Sequence, residues 1–167
     1  MTQPIAPSAA QYLRTDTIRG GMDLLMFAHK SHLARADSAL TARGLGRAHH
    51  RVLYMVSRRP GQSVTTLLET LGITKQSLGR VLRELTDQGL LEGRTGEHDR
   101  RTKLLHLTEE GSMLEHALFE QLHANMARAY AAAGEAAVSG YWCLMQHLMD
   151  DTAHGHFLSF NASPRPR

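Results

Sequence analysis

The 167-residue sequence predicts a mainly α-helical fold with one small β-hairpin. Three observations support this prediction. Apolar residues recur at three- and four-residue steps over much of the chain, as in amphipathic helices. Near the centre, a glycine-containing turn separates two short helical segments. Two short apolar runs, separated by a polar stretch, follow directly and are typical of a hairpin.

The first two elements are predicted to be helices that end at glycine or proline. A long amphipathic helix is expected within residues 11–42, before Gly44 and Gly46. A second helix is expected over residues 47–58, before Pro60 and Gly61.

A helix-turn-helix is predicted next. Ser63 is placed to cap a short helix that ends before Gly72, and Thr74 is placed to cap the following helix, which ends at Gly89. Apolar residues line one side of this second helix, namely Leu78, Val81, Leu82 and Leu85. Its polar residues are left facing outward, as on a helix that enters a DNA groove.

The remaining elements are a hairpin and further helices. Residues 90–94 and 103–107 read as two strands joined by a polar, turn-forming stretch, and a hairpin after a helix-turn-helix is a wing. Thr108 is placed to cap the next helix, Gly134 interrupts the helical pattern, and a last helix runs to Asp150 and Asp151. Pro4, Pro7 and Ser8 open the chain, and residues 161–167 close it without an apolar period, so residues 1–10 and 152–167 are expected to be flexible.

The charge is distributed unevenly along the chain, although the net charge is only +3. Residues 43–103 carry 12 basic and 6 acidic side chains, which gives a net charge of +6. Residues 104–151 carry one basic and seven acidic side chains, which gives −6. A basic centre of this size indicates a polyanionic partner, with nucleic acid as the leading candidate and a solvated basic face as the alternative.

Composition excludes several other classes of protein. The single cysteine, Cys143, cannot form an intrachain disulfide and fits a reducing compartment. No apolar run approaches the 20 or so residues of a membrane span, and the amino terminus does not resemble a secretory signal, so we expect a cytoplasmic protein without a membrane partner. The sequence contains no phosphate-binding glycine loop, nucleophile elbow or metalloprotease motif, which argues against an enzyme and predicts no cofactor.

Three motifs in register resemble the MarR family of winged helix-turn-helix regulators. They are residues 71–77 followed by 81–85 and 89–91, the Asp99-Arg100-Arg101 stretch of the wing, and Leu107-Thr108-Glu109-Glu110-Gly111 at the start of the next helix. The resemblance implies a DNA-binding domain over residues 43–108. It also implies a homodimer on palindromic double-stranded DNA, held together by dimerisation helices at residues 11–42 and 109–151.

Residues of the second helix of the helix-turn-helix are the candidate DNA contacts. Gln76 can pair with adenine and Arg80 with guanine in the major groove. Ser77 can contact a base or a phosphate, whereas Lys75 and Arg83 suit phosphates and Thr74 combines its capping role with a phosphate contact. An ordinary solvated helix face is the alternative for this set.

In the wing, the resemblance implies that Arg101 reaches the minor groove, where a narrow A·T-rich groove favours a guanidinium. Asp99 is expected to orient a neighbouring arginine. Arg94 and Arg100 are expected to contact phosphates or to pair within the wing, and a free surface charge is the alternative for Arg100.

A candidate effector pocket comprises His29, His32, His50 and Tyr54, near the expected crevice between the DNA-binding and dimerisation parts. A small-molecule effector bound there would bias the spacing of two winged lobes. No compact cluster with metal-ligand spacing is evident in the sequence, so no metal is predicted. Two alternatives stay open: a zinc-responsive regulator of the same fold that uses histidines, and a non-specific architectural DNA-binding protein. Cys143 is expected to be a buried, inert thiol.

Overall fold

A computed structural model describes residues 5–8, 10–95 and 103–161, and its secondary structure is mainly helical, with one small sheet. Its elements are α1 (Thr15–Thr41), α2 (Arg47–Arg58), β1 (Gln62–Ser63), α3 (Val64–Leu71), α4 (Lys75–Asp87), β2 (Leu91–Thr95), β3 (Lys103–Leu107), α5 (Glu109–Ala133), α6 (Glu135–His147) and α7 (Asp151–Asn161). The predicted fold class is confirmed. In these three stretches, no helix is long and apolar enough to cross a membrane.

The three predicted helix caps are present. Ser63, Thr74 and Thr108 each accept a hydrogen bond, through the side-chain hydroxyl, from the backbone N–H three residues later. Each cap satisfies a donor that the first turn of a helix leaves unpaired. These local signals therefore fix where α3, α4 and α5 begin.

The sheet contains a third strand that the sequence did not predict. Its strand order is β1-β3-β2, with both pairings antiparallel. In β1, Gln62 lies opposite Leu105 and Ser63 opposite Leu104. A strand of two residues is too short to show an alternating pattern, so the sequence gives no signal for it.

The carboxyl-terminal segment differs from the expectation of a flexible tail over residues 152–167, because helix α7 continues to Asn161; residues 162–167 lie outside the described residues. Asp150 accepts a hydrogen bond from the Ala153 N–H at 2.7 Å and so caps the start of this helix. At its far end, the Phe160 carbonyl accepts a hydrogen bond from Arg58 Nη2 at 2.8 Å, and the Arg59 guanidinium lies 4.7 Å from the centre of the Phe160 ring. The helix is thus held by tertiary contacts with α2, which a periodicity argument does not detect.

The hydrophobic core lies in the centre of the chain. Its buried residues run from Ala36 to Leu118 and come from helices α1 to α5, from strands β2 and β3, and from the loops between them. In α1, only Ala36 and Leu40 are buried, both near its carboxyl end, and α6 and α7 bury no residue. The amino-terminal part of α1 and the last two helices therefore lie outside the core.

A closely packed junction connects the residues just after α4 to the start of α5. The Thr108 hydroxyl donates to the Gly89 carbonyl at 2.6 Å and accepts from the Gly111 N–H at 3.0 Å, while the Thr108 N–H donates to the Leu90 carbonyl. A Cβ atom at Gly111 would lie 1.9 Å from the Leu90 carbonyl oxygen. Only glycine allows the backbone of α5 to approach Leu90 this closely.

A carboxylate is buried beside α2. Glu115 of α5 is 8% exposed, and its Oε2 accepts a hydrogen bond from the Ser57 hydroxyl at 3.0 Å. Burial raises the pKa of the Glu115 carboxyl, and this effect outweighs the opposing influence of Ser57, His116 and Arg58.

We predict that Gly111→Ala destabilises the fold by about 2 kcal/mol or more, because the added methyl group must displace the Leu90 backbone. Urea denaturation measures the change. Gly79→Ala is the matched control, since Gly79 also lies within a helix but a Cβ there meets nothing within 4 Å. The control should gain up to about 1 kcal/mol from helix propensity. Equal effects of the two substitutions would contradict the close packing of the junction.

We predict that Glu115→Gln stabilises the protein at neutral pH by an amount on the order of 1 kcal/mol, because the amide still accepts from Ser57 but carries no buried charge. The pKa of Glu115 is higher in the folded state than its unfolded value of about 4.3, so wild-type stability declines as pH rises from that value through the folded pKa.

The advantage of the Glu115→Gln variant should therefore be small at pH 4, grow as pH rises through the folded pKa, and then level off. Denaturation at a series of pH values tests this pattern. Glu69→Gln on the exposed surface of α3 serves as control, and an equal pH dependence for both variants would rule out burial of Glu115 as the cause.

Candidate nucleic-acid interface

The turn between α3 and α4 sets the direction of the second helix. Gly72 follows α3 in the left-handed conformation, with φ of 60°, and its N–H donates to the Leu68 carbonyl. Thr74 then caps α4 through the Ser77 N–H at 3.2 Å, and the Thr74 and Ser77 hydroxyls lie 2.9 Å apart. The chain therefore turns from one helix into the next within three residues, as in a helix-turn-helix.

Helix α4 has one buried and one exposed face. Leu78, Val81 and Leu85 are buried in the core. All the predicted contacts around this helix are on the exposed side, namely Thr74, Lys75, Gln76, Ser77, Arg80 and Arg83. Gln76, Arg80 and Arg83 follow one another at helical spacing, so they form a continuous polar face. We call these six residues the α4 polar face.

Arg80 is connected to the interior by a chain of polar contacts. Its Nε lies 3.4 Å from Oε1 of Glu84, and Oε2 of Glu84 lies 2.6 Å from Nε2 of His49. His49, in the first turn of α2, is buried and accepts a hydrogen bond from the Gly46 N–H at its Nδ1. The sequence predicts no role for His49 or Glu84. They lie 35 residues apart, so no local spacing signals the contact.

The structure describes the base of the wing, which consists of strands β2 and β3. Strands β2 and β3 pair from Leu91 opposite Leu107 to Thr95 opposite Lys103. Of the two alternatives predicted for Arg94, the structure has pairing within the wing, because its guanidinium lies 2.7 Å from the Glu92 carboxylate. Asp99, Arg100 and Arg101 lie outside the described residues, so their predicted contacts stay predictions.

Not all of the central basic residues are free to meet a polyanion. Arg47 forms two hydrogen bonds with the Asp37 carboxylate, at 2.6 and 2.9 Å, and this pairing lowers the pKa of Asp37. Arg43 pairs with Glu110 at 2.8 Å. Lys75 and Arg83, by contrast, have no ion-pair partner within the part of the chain that the structure covers. Unpaired basic side chains thus occur on the α4 polar face.

Two of the four predicted effector-pocket residues, His32 and His50, lie close together between α1, α2 and α5, whereas His29, one turn earlier on α1, is exposed. His32 accepts a hydrogen bond from the Asn125 amide at 3.1 Å, and burial, followed by the nearby His29, lowers its pKa. His50 is buried, and burial, followed by His32, lowers its pKa more than Asp37 raises it. Burial thus favours the neutral imidazole of His32 and of His50.

Tyr54 has a different environment from the three histidines. It lies one turn beyond His50 on α2, and its hydroxyl accepts a hydrogen bond from Arg58 at 3.1 Å. The Arg58 guanidinium also lies over the Tyr54 ring. Arg58 therefore competes with any ligand for the Tyr54 hydroxyl.

The expectation of a buried Cys143 is wrong, because this thiol is exposed on α6. Apolar neighbours in the sequence suggested burial, but α6 as a whole buries no residue. Cys143 and His154 line an open cleft between α6 and α7. Among residues 5–8, 10–95 and 103–161, no three His, Cys, Asp or Glu side chains are placed to hold a metal ion.

Comparisons with known proteins agree with this architecture. The MarR family model matches residues 43–102. The HTH-type transcriptional regulator PetP of Rhodobacter capsulatus is 43% identical over 146 residues, which cover 87% of this chain and 88% of that protein.

Two crystal structures share the fold. One, of a MarR family transcription regulator, superposes with a TM-score of 0.71 at 20% identity and covers 92% of this chain and 97% of its own. The other is CouR from Rhodococcus jostii RHA1 bound to p-coumaroyl-CoA, with a TM-score of 0.62 at 24% identity, covering 74% of this chain and 87% of its own. From the family match and the extent of identity to PetP, the chain is a member of the MarR family of transcriptional regulators.

Proposed function

We propose that the protein is a homodimer that reads a pseudo-palindromic operator, with one α4 in the major groove of each half-site. The observation that supports this most directly is the exposed α4 polar face, on which base-reading and phosphate-binding residue types lie side by side. Two α4 helices related by a two-fold axis require half-sites about one helical turn apart.

The proposed contact residues fall into two groups, those that read bases and those that bind the DNA backbone. Gln76 and Arg80 carry the paired donors and acceptors that distinguish adenine and guanine in the major groove. Lys75 and Arg83 neutralise phosphates, and Thr74 and Ser77 support the helix amino terminus near the backbone. Arg100 and Arg101 of the wing would add contacts to the flanking DNA, with Arg101 in the minor groove and Asp99 orienting an arginine.

The partner for dimerisation is a second copy of this chain. Exposed apolar side chains occupy the amino-terminal part of α1 and much of α6, including Met22, Leu25, Phe27, Tyr141 and Leu144. A monomeric protein rarely leaves so many large apolar groups in water. Because these helices lie outside the core, a second copy that covers them would provide the missing apolar contacts.

A small-molecule effector would bind between α1, α2 and α5, near His29, His32 and His50, with Tyr54 at the edge. CouR, which shares this fold, was crystallised with p-coumaroyl-CoA, so a protein of this architecture can accept a ligand. An effector that prefers one spacing of the two α4 helices would change the population that is competent for DNA.

We assign the protein this regulatory role in the cytoplasm rather than a catalytic one. No observation within residues 5–8, 10–95 and 103–161 favours a zinc-responsive regulator. A non-specific architectural DNA-binding protein would not need Gln76 on the surface of α4, because phosphate-directed lysines and arginines suffice for non-specific binding.

We predict that Arg80→Ala weakens binding to the preferred operator by about 1–3 kcal/mol and removes the preference at one base pair of each half-site. Lys75→Ala should weaken binding to operator and random DNA alike, and should reduce the slope of log affinity against log salt by about one.

The two variants are matched, because each removes one cation from the same exposed surface of α4. Salt-titrated fluorescence anisotropy on both DNAs makes the comparison. Equal losses for Arg80→Ala on operator and random DNA would show that Arg80 contacts only phosphates.

We predict that Leu144→Asp shifts the protein from dimer to monomer and lowers operator affinity at least tenfold, because a carboxylate in the apolar dimer contact must be desolvated. Light scattering after size exclusion measures the molecular mass. Thr65→Asp, which adds the same charge on the exposed surface of α3, should remain dimeric. A dimeric Leu144→Asp variant would argue against α6 as part of the interface.

A further inference from the structure

Both ring nitrogens of the buried His49 are used, which fixes the position of its proton. The Gly46 N–H lies 3.0 Å from Nδ1. A backbone N–H can only donate, so Nδ1 accepts and carries no proton. The ring proton is therefore on Nε2.

The second nitrogen of His49 orients a carboxylate. Nε2 lies 2.6 Å from Oε2 of Glu84, and in this tautomer its N–H donates to that oxygen. His49 is 8% exposed, so its ring is held by the surrounding protein. A fixed donor of this kind restricts the rotation of the Glu84 side chain, although Glu84 itself lies partly in solvent.

The other carboxylate oxygen of Glu84, which does not contact His49, faces Arg80. Oε1 lies 3.4 Å from Nε of Arg80, one helical turn earlier on α4. The side chain of Arg80 is 74% exposed, and Glu84 is its ion-pair partner within the described part of the chain. The ion pair uses the inner nitrogen of the guanidinium and leaves the two terminal nitrogens free for a ligand.

The free terminal nitrogens are the ones that can pair side by side with O6 and N7 of guanine. An unrestrained arginine loses much rotational freedom when it forms such a contact, and a pre-oriented one loses less. An arginine that rotates freely can also reach phosphates, which carry no sequence information. A restraint on Arg80 therefore favours base reading over phosphate binding.

We propose that Glu84, held by His49, is a positioning residue that presets Arg80 to read a guanine, and is thereby a determinant of operator specificity. The inference rests on the proposed function, since it requires α4 to enter the major groove. Specificity for guanine then depends on two residues, Glu84 and His49, that do not themselves touch DNA.

The test measures base preference, which a general loss of stability does not change. Wild type and variants select double-stranded DNA from a randomised library, and the bound fraction is sequenced. We expect Glu84→Gln, which can still accept from His49 but has no charge for Arg80, to lower the guanine preference at one position about threefold to tenfold. Total affinity for random DNA should not fall, because the substitution removes a negative charge near the phosphates.

Two further variants separate this inference from the proposed function. Arg80→Ala should abolish preference at that position, and Glu84→Gln in the Arg80→Ala background should change nothing more. If Arg80→Ala removes a preference but Glu84→Gln leaves it at the wild-type level, the positioning role alone is overturned. If Arg80→Ala alters no position, base reading by Arg80 fails, and the positioning role fails with it. Glu69→Gln on α3 is the control for loss of an exposed carboxylate.

Two substitutions of His49 test its part separately. Gln can place a donor near the position of Nε2 and so retain the contact with Glu84, whereas Asn can accept from Gly46 but is too short to reach Glu84. We expect His49→Gln to retain more guanine preference than His49→Asn, which should resemble Glu84→Gln. Thermal denaturation of both variants accounts for differences in folding, and equal base preferences would overturn the role of His49.

Discussion

The fold depends on the close approach of α5 to the chain that follows α4. Gly111 brings the helix backbone against the Leu90 carbonyl, and Thr108 ties the same junction together through Gly89 and Leu90. The junction links three parts of the molecule: α4 with its polar face, the sheet that leads to the wing, and the long helix that leaves toward α6. The placement of these parts depends on this contact, because the start of α5 packs directly on the backbone between α4 and β2.

The buried apolar residues divide the molecule into a packed lobe and helices that lie outside it. The core gathers around α2, α3, α4 and the sheet, and reaches only the last turns of α1 and the first turns of α5. The basic residues of α2 and α4 belong to this well-packed lobe, while most of the acidic residues beyond residue 104 lie on α5 and α6. In the proposed function, a polyanion binds the lobe with its own core, and a second copy of the chain covers the helices without one. Electrostatic attraction of a polyanion and hydrophobic association with a second copy would therefore use different surfaces and would not compete.

Local signals made much of the fold predictable from the sequence. Ser63, Thr74 and Thr108 act through backbone groups three residues away, so their capping roles could be read directly. The outward face of α4 followed from the positions of its leucines. Strand β1 is too short for any pattern, and α7 and the exposure of Cys143 depend on which surfaces pack together. The contact between His49 and Glu84 is equally non-local, so the positioning of Arg80 emerged only from the three-dimensional arrangement.

The docking of α7 has a mechanical consequence for the lobe that carries α4. Helix α6 packs against α5 through the Trp142 and Tyr130 hydrogen bond, and α7 returns from α6 to α2 through Phe160. Together with the packing of α2 on α5, these contacts close a ring of elements within one chain. A closed ring has fewer independent motions than an open series of helices. Any rotation of the lobe must therefore either release Phe160 from Arg58 and Arg59 or carry the last two helices with it.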